Sequence, residues 1–255
     1  MLPIFGRAEI KNLEIWAAFP YGSERHFPYW EKGYIDTFAR HLKTNGLKTK
    51  ALHAPFSETL DISSLDDSSH REAIREIKEV ASLFKKLPGA EIVVVHPGGI
   101  VIQKGEEEER RRLEQSRKGL KELAHFLSAN GLRLAVENML PGLIAWNPSD
   151  LLFLTEGLPQ TGVCLDTGHA YISGVLEEFL ERLKEKIIAF HLSDTYDSVD
   201  RHLLPFEGSI DWSFFKENGL GKEGNQAILT FETRTRGNLQ TSLIEMKAAF
   251  QKLIA

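Results

Sequence analysis

The chain has 255 residues, 42% of them hydrophobic and 26% charged, which suits a globular protein in water and is enough for one (β/α)8 barrel of ~250 residues. Its formal net charge of −5 gives no overall attraction to nucleic acid or an anionic membrane, although a local patch can override a net value. No apolar run approaches the ~18 residues of a membrane span, and the first residues lack the basic-then-apolar pattern of a secretory signal.

Short β-rich apolar runs alternate with longer segments of helical period, the pattern of βα units feeding a parallel sheet. The first clear strand is Asn12–Trp16. Before it, either Leu2–Ile10 supplies a poor strand or the barrel is incomplete. Tyr34–Lys43 is predicted as a helix stopped at Asn45-Gly46, and Thr49–His53 as the next strand. Ile74, Ile77, Ala81 and Phe84 recur at helical spacing within a predicted helix Ser69–Phe84. Glu91–His96 follows, apolar on both faces through Ile92-Val93-Val94-Val95, as a strand between barrel interior and outer helices must be. The long charged helix Glu106–Ala129 ends at Asn130-Gly131. Its run Glu106-Glu107-Glu108-Glu109-Arg110-Arg111-Arg112 reads as a solvated face, with acidic residues on the positive end of the helix dipole and Glu-to-Arg spacings that pair. Strand Arg133–Glu137 comes next. Pro148 then opens a helix leading into Leu151–Glu156. Strand Gly162–Asp166, helix Val175–Glu185, strand Ile187–His191, strand Ala227–Glu232 and helix Leu239–Leu253 complete the series. No internal repeat or low-complexity linker interrupts it, so one domain, 1–255, with the fold class α/β and a TIM-type (β/α)8 barrel is expected, its first strand short or missing. The single cysteine, Cys164, lies in the apolar run Gly162-Val163-Cys164-Leu165. It reads as a small core residue, and a reducing, cytoplasmic setting is expected.

Working residues of such barrels sit at the C-terminal ends of strands, and here nearly every strand ends in a group able to bind metal. These are His53, His96, Glu137, Asp166 with His169, His191 with Asp194, Asp200 with His202, and Glu232. Any one of them alone is more often a hydrogen-bonded structural residue. Several carboxylates buried at one end of a barrel, however, need compensating positive charge, which a divalent cation supplies. The His and carboxylate donors suit Zn²⁺ or Mn²⁺, and also Co²⁺ or Fe²⁺. Asp194 is set apart, either as a partner behind the ligands or as a loop cap. His26, His41, His70 and His125 fall in loops or helices away from strand ends and receive no role.

The ordered set resembles the xylose-isomerase-like TIM barrel superfamily, which includes endonuclease IV and many sugar and sugar-phosphate isomerases and epimerases. The resemblance runs from about Asn12 to the end. Its most specific stretches are Val163-Cys164-Leu165-Asp166-Thr167-Gly168-His169-Ala170 and His191-Leu192-Ser193-Asp194, followed by Asp200-Arg201-His202, with His53-Ala54-Pro55 and His96-Pro97-Gly98 in support. It implies two site designs. In the isomerase design, Glu137, Asp166, His191 and Glu232 hold one metal, often Mn²⁺. The two glutamates move protons at the reacting carbon, His169 contacts substrate, and Glu14 is a sugar-hydroxyl partner. In the endonuclease design, which cleaves DNA at abasic sites, three zinc ions are held. His53 and His96 share Glu137, Asp166, His191 and Glu232 complete the second site, and His169, Asp200 and His202 form the third.

The sequence departs from the endonuclease pattern in its short N-terminal strand-loop, in the compact loop from Asp194 to Asp200, and in Phe206 where a glycine is usual. Phe206 departs from the isomerase pattern as well. No basic stripe with interleaved aromatics marks a DNA groove. The leading expectation is therefore a metal-dependent isomerase or epimerase of a small-molecule sugar or sugar phosphate. The alternatives are an endonuclease IV-like phosphodiesterase with nucleic acid as partner, and a metal-binding barrel without catalysis. Arg201, Arg234 and Arg236 lie near the active face as candidate phosphate contacts, with Arg234 the one placed in the substrate set. The aromatic stretches Phe19-Pro20-Tyr21 and Phe27-Pro28-Tyr29-Trp30 suit a lid, a sugar-stacking wall, a plug for an open barrel end or a dimer contact.

Overall fold

A computed structural model describes residues 2–17, 27–57, 59–99, 105–220, 226–234 and 237–255. Seven strands form one sheet in sequence order, every neighbouring pair parallel. They are β1 (Asn12–Trp16), β2 (Lys48–His53), β3 (Ile92–Val95), β4 (Arg133–Glu137), β5 (Thr161–Asp166), β6 (Ile187–Leu192) and β7 (Ile228–Phe231). Helices α1 (Leu2–Arg7), α2 (Tyr34–Thr44), α3 (Asp67–Phe84), α4 (Glu106–Ala129), α5 (Pro148–Thr155), α6 (Thr167–Ile172), α7 (Leu176–Leu183), α8 (Trp212–Phe215) and α9 (Leu239–Ile254) alternate with them. The result is a nearly closed TIM-type barrel. Among the described residues the segment before Asn12 is helical and not a strand, and no backbone pairing joins β1 to β7.

The two-residue period of the strands sorts the core. Ala51, Ile92, Val94, Ala135, Cys164 and Ala189 form a small apolar cluster inside the barrel. The alternate residues Leu52, Val93, Val95, Leu134, Val136, Val163, Leu165, Phe190 and Leu192 pack outward, in the large cluster that also takes in the helices. Stepping two residues on from Ala51, Val94, Ala135, Cys164 and Ala189 reaches His53, His96, Glu137, Asp166 and His191. The polar groups at the strand ends thus share the inward face with this apolar layer, of which Cys164 is a buried member.

Local signals set the helix ends. Asp66, Asn147, Asp211 and Asn238 each cap a helix by accepting from a backbone N–H of its first turn, which satisfies donors the helix leaves free. Asn45 and Asn130 close α2 and α4 before Gly46 and Gly131, both at positive φ. The charged start of α4 is solvated only in part. Arg110 pairs with Glu107 and Glu114 in the open, whereas Arg112 is buried, bonded to Glu108 and 3.8 Å from the buried Asp61. Of the N-terminal aromatics, Phe19, Pro20 and Tyr21 lie outside the described residues. Phe27 is buried edge-on against Tyr34 and Phe38 of α2, and the Tyr29 hydroxyl donates to Glu76 of α3 at 2.7 Å. That stretch is packed between helices, while Trp30 stays exposed.

Candidate metal centre

Glu137, at the end of β4, is the hub. Its Oε2 lies 3.2 Å from His53 Nε2 and 3.1 Å from His96 Nε2, and its Oε1 lies 3.1 Å from His191 Nδ1. His191 Nδ1 is also 2.8 Å from Glu232 Oε2. Ligand atoms of Glu137, Asp166, His191 and Glu232 all fall within 4.8 Å of one another, and so do those of His53, Glu137 and His191. On the other side of Glu137, His169 Nε2 is 3.5 Å from Asp200 Oδ2, which is 2.8 Å from His202 Nε2. His169 links the groups, its Nδ1 lying 3.9 Å from both Glu137 Oε1 and Asp166 Oδ1. All nine positions singled out in the sequence therefore lie in one contiguous cluster.

Neighbours unremarkable in sequence hold these groups in place. Asn138 accepts the backbone N–H of Asp166 on its side-chain oxygen, donates to the Asp166 carbonyl, and offers its own carbonyl to His169 Nδ1 at 2.9 Å. Asp166 Oδ1 caps α6 by accepting from the His169 N–H, which turns its Oδ2 toward the cluster. Thr167 Oγ1 donates to the Ser193 carbonyl and accepts from its N–H, tying β5 to β6. The available signal was adjacency, since each stands next to, or two residues from, a strand-end ligand type.

Asp194 is a loop organiser. Its fully buried carboxylate accepts from the N–H groups of Thr195, Phe206, Gly208 and Ile210 and from Trp212 Nε1. This gathers the loop that carries Asp200 and His202. A Cβ on Gly208 would stand 2.3 Å from Asp194 Oδ1 and 2.4 Å from the Thr195 carbonyl oxygen, so the turn requires glycine there. Phe206 adopts φ +78°, which explains why its position favours glycine. Its ring packs against Trp212 and beneath Lys252 Nζ.

The electrostatics fit a shared cation. Burial would raise the Glu137 carboxyl, but His191 and His96 outweigh it and hold the group well below the usual range. Glu232 is likewise held down to about 2, with His191 overcoming burial. Burial dominates at Asp166 and pushes it up to about 6, against the pull of His169. Burial disfavours charge on His169, yet Asp166, Asp200 and Glu137 raise it to about 10. The hydrogen bond to Asp200 raises His202 to about 9. Burial wins at His96, which is lowered. His53, His169, His191 and His202, all raised against burial by the carboxylates around them, thus supply positive charge that the carboxylates need, a role a divalent ion takes when bound. The fit is visible at a single atom. Asp166 Oδ2 is buried without a hydrogen-bond partner, an arrangement costly in a protein interior and natural for a ligand of a cation shared with Glu137, His191 and Glu232.

Above the cluster opens a cavity of about 870 Å³ lined by Trp16, Phe56, Met139, Leu143 and Phe231 among apolar groups, and by His53, His96, Glu137, His169, Asp200, His202, Glu232 and Arg234. The Phe56 ring lies 4.0 Å from that of His96, centroid to centroid. Arg234 is exposed at the rim, its backbone N–H bonded to the His202 carbonyl. Arg201 is engaged by Asp197 and stacks on Tyr196, and Arg236 lies outside the described residues. Glu14 does not line this cavity. It sits behind His191, on a groove of about 650 Å³ between β1 and β7.

The family model described as xylose isomerase-like TIM barrel matches residues 10–253. An uncharacterized protein of Methanocaldococcus jannaschii is 29% identical over 175 residues, 66% of this chain and 64% of its own length. A protein of Akkermansia muciniphila named probable endonuclease 4 is 30% identical over 203 residues, 69% of this chain and 67% of its own. The chain thus spans slightly less than two thirds of the first of these relatives. Among solved structures, a D-tagatose 3-epimerase-like protein superposes with a TM-score of 0.78 at 23% identity, over 96% of this chain and 88% of that one. The IolI protein with a zinc atom superposes with a TM-score of 0.82 at 19% identity, over 99% and 91%. At these identities the structural likeness is one of fold. Among the described residues no helix is long and apolar enough to cross a membrane.

Proposed function

This chain belongs to the xylose isomerase-like TIM barrel family, and on that footing we propose that it is a metal-dependent isomerase or epimerase of a sugar or sugar phosphate. One observation carries the reading. Glu137, Asp166, His191 and Glu232 bring their ligand atoms within 4.8 Å of one another beneath a cavity of about 870 Å³, a size that suits a small molecule.

In this reading those four residues hold a divalent ion, zinc or manganese. When bound, such an ion supplies Lewis-acid polarisation of the substrate's hydroxyl and carbonyl oxygens. Glu137 and Glu232 both reach the cavity. One of the two carboxylates would remove the proton from the carbon next to the carbonyl; in an isomerisation the carboxyl so formed hands it to the neighbouring carbon, and in an epimerisation the other glutamate first takes a proton from solvent and delivers it to the opposite face. Held at about 2 by His191 against burial, Glu232 is ionised and ready to accept a proton, but it is too weak a base for an unactivated carbon. His169 presents its imidazole to the substrate from the cavity wall, and Arg234 at the rim suits a phosphate. The zinc-carrying IolI protein and the D-tagatose 3-epimerase-like protein share this fold, which supports both the cation and the substrate class. A cytoplasmic setting goes with the buried free thiol of Cys164.

A second reading, an endonuclease IV-like phosphodiesterase, draws on the two groups that adjoin the central one, His53 with His96 on Glu137 and His169 with Asp200 and His202. Three neighbouring cations would suit phosphodiester hydrolysis.

The deciding experiment has two parts. Metal analysis of the purified protein counts about one ion per chain for the first design and about three for the second. Solvent deuterium is then followed by NMR into a panel of ketoses, aldoses and their phosphates, with zinc or manganese present. Exchange by the wild type, falling at least ~100-fold in Glu232→Gln, supports the isomerase. No exchange with any of them, together with cleavage of an abasic-site duplex that Glu232→Gln abolishes, moves the assignment to the endonuclease. Neither reaction, with metal bound, leaves a binding role.

A further inference from the structure

We propose that Glu14 is a positioning residue for the metal, acting through His191. The inference rests on the reading that Glu137, Asp166, His191 and Glu232 hold a divalent ion. The His191 side chain is buried, with 1% of its surface exposed. Its Nδ1 faces two ligand carboxylates, Glu137 Oε1 at 3.1 Å and Glu232 Oε2 at 2.8 Å. Its other nitrogen, Nε2, lies 3.0 Å from Glu14 Oε1. The second oxygen of Glu14 accepts from the Thr230 hydroxyl at 2.7 Å.

A histidine binds a cation through the lone pair of one ring nitrogen, and the hydrogen bond made by the other selects which nitrogen that is. With Glu14 as acceptor the proton stays on Nε2. When a cation takes the place of the Nδ1 proton, Nδ1 would then offer its lone pair on the side of Glu137 and Glu232. The Thr230 hydroxyl holds the second oxygen of the Glu14 carboxylate and so restricts its rotation. The chain carboxylate–imidazole–ligand site therefore runs from β1 through β6 to the cluster.

Placement of the two residues adds a second function to the same bond. Glu14 is on β1 and Thr230 on β7, the two edges of the sheet that no backbone pairing joins among the described residues. Thr230 stands two residues before Glu232. The Glu14–Thr230 bond thus bridges the seam between β1 and β7 beneath a ligand-bearing strand end. A sugar-hydroxyl contact does not fit Glu14 here, because its side chain is 9% exposed and faces the seam groove, away from the mouth cavity.

The test uses the full chain with Zn²⁺ alone, its affinity read by competition with a chromophoric chelator. Glu14→Ala removes the acceptor and is expected to weaken zinc binding 10–100-fold. Glu14→Gln keeps an amide oxygen for Nε2–H and is expected to recover most of the loss. Thr230→Val loosens the carboxylate and is expected to cost less than about 10-fold. Imidazole ¹⁵N NMR of the zinc-loaded wild type should show His191 bound to zinc through Nδ1 and protonated at Nε2, and Glu14→Ala should lose the slowly exchanging Nε2 proton. Thermal melts of each variant in chelator separate this from a purely structural role, which would lower the melting temperature and leave zinc affinity unchanged. If Glu14→Ala fails to fold, Glu14→Gln and Thr230→Val carry the test through their graded affinities and the NMR signature. A wild type that takes up no zinc overturns the metal reading, and this inference with it. A wild type that binds zinc while the folded variants bind within twofold of it overturns the positioning role alone.

Discussion

Replacing Asp194 with Asn changes one atom and should unmake a loop. The Asp194 carboxylate serves five donors. Oδ1 takes Thr195 N–H at 2.8 Å and Ile210 N–H at 3.2 Å, and Oδ2 takes Phe206 N–H at 3.0 Å, Gly208 N–H at 2.9 Å and Trp212 Nε1 at 2.8 Å. An Asn amide has only one acceptor oxygen. In its better orientation the NH₂ group replaces Oδ1, so that Thr195 and Ile210 each point a donor at a donor. Two buried groups left unsatisfied cost about 1–3 kcal/mol each, or roughly 2–6 kcal/mol together, against a typical total of ~5–15 kcal/mol. In a chain of this size that corresponds to ~2–4 °C in melting temperature for each kcal/mol. Asp194→Ala abandons all five donors and should be at least as damaging. Thermal melts followed by circular dichroism give the global effect, and amide hydrogen exchange gives the local one. In Asp194→Asn, the Thr195 and Ile210 amides should exchange much faster, while those of Phe206 and Gly208 stay more protected. A variant within ~0.5 kcal/mol of wild type, with all four amides still protected, would refute the hub.

The remaining expectations concern other parts of the molecule. Gly208→Ala would drive a Cβ against the Thr195 carbonyl and Asp194, and it should cost about 1–3 kcal/mol, read as a lower midpoint in urea. Tyr29→Phe removes the 2.7 Å bond to Glu76 and should destabilise by about 1.5–3 kcal/mol, the range for a hydrogen bond to a charged group. Hydrogen bonds from Ser68 and Ser69 hold the Asp66 carboxyl down at about 2, below its unfolded value of ~3.9. Its contribution is therefore complete above about pH 5 and is lost as the pH falls through 4 toward 2. Between pH 5 and 2 the wild type should lose more stability than Asp66→Asn, whose cap does not titrate. Stripping metal with a chelator should lower the melting temperature and re-adding zinc restore it, by about 2.7 kcal/mol at 100 times the dissociation constant. A melt indifferent to both, with no metal found by atomic emission, would count against a bound cation.

Much of this was open to sequence reading because strands have a period of two residues and barrels put their working ends on one face. The seven strands could be read as short apolar runs set between segments of helical period, and helix ends from Pro148, Asn45-Gly46 and Asn130-Gly131, whereas the caps Asp66 and Asn238 came only with the structure. That His53, His96, Glu137, Asp166, His191 and Glu232 stand at strand ends was equally legible. What local pattern does not carry is the stagger between strands and the path of the long loops. The irregular register at Leu13/Glu14 and at Val163/Cys164 helps set the depth at which each side chain sits, and so which carboxylate meets which imidazole. Leu2–Arg7, too short for its pattern to discriminate, is helical because packing decides such segments.

The sequence by itself determined the class of fold, the face on which chemistry gathers and the donor types assembled there, since these follow from periodicity and residue chemistry along a few neighbouring positions. Only the tertiary structure decided that Glu14 lies behind His191 with Thr230 across an open seam, that Asp194 collects donors from as far as Trp212, and that Arg112 turns inward to Asp61. Those relations join residues 18 to 216 positions apart. Contacts across such separations depend on how the whole chain closes, and no local propensity encodes them.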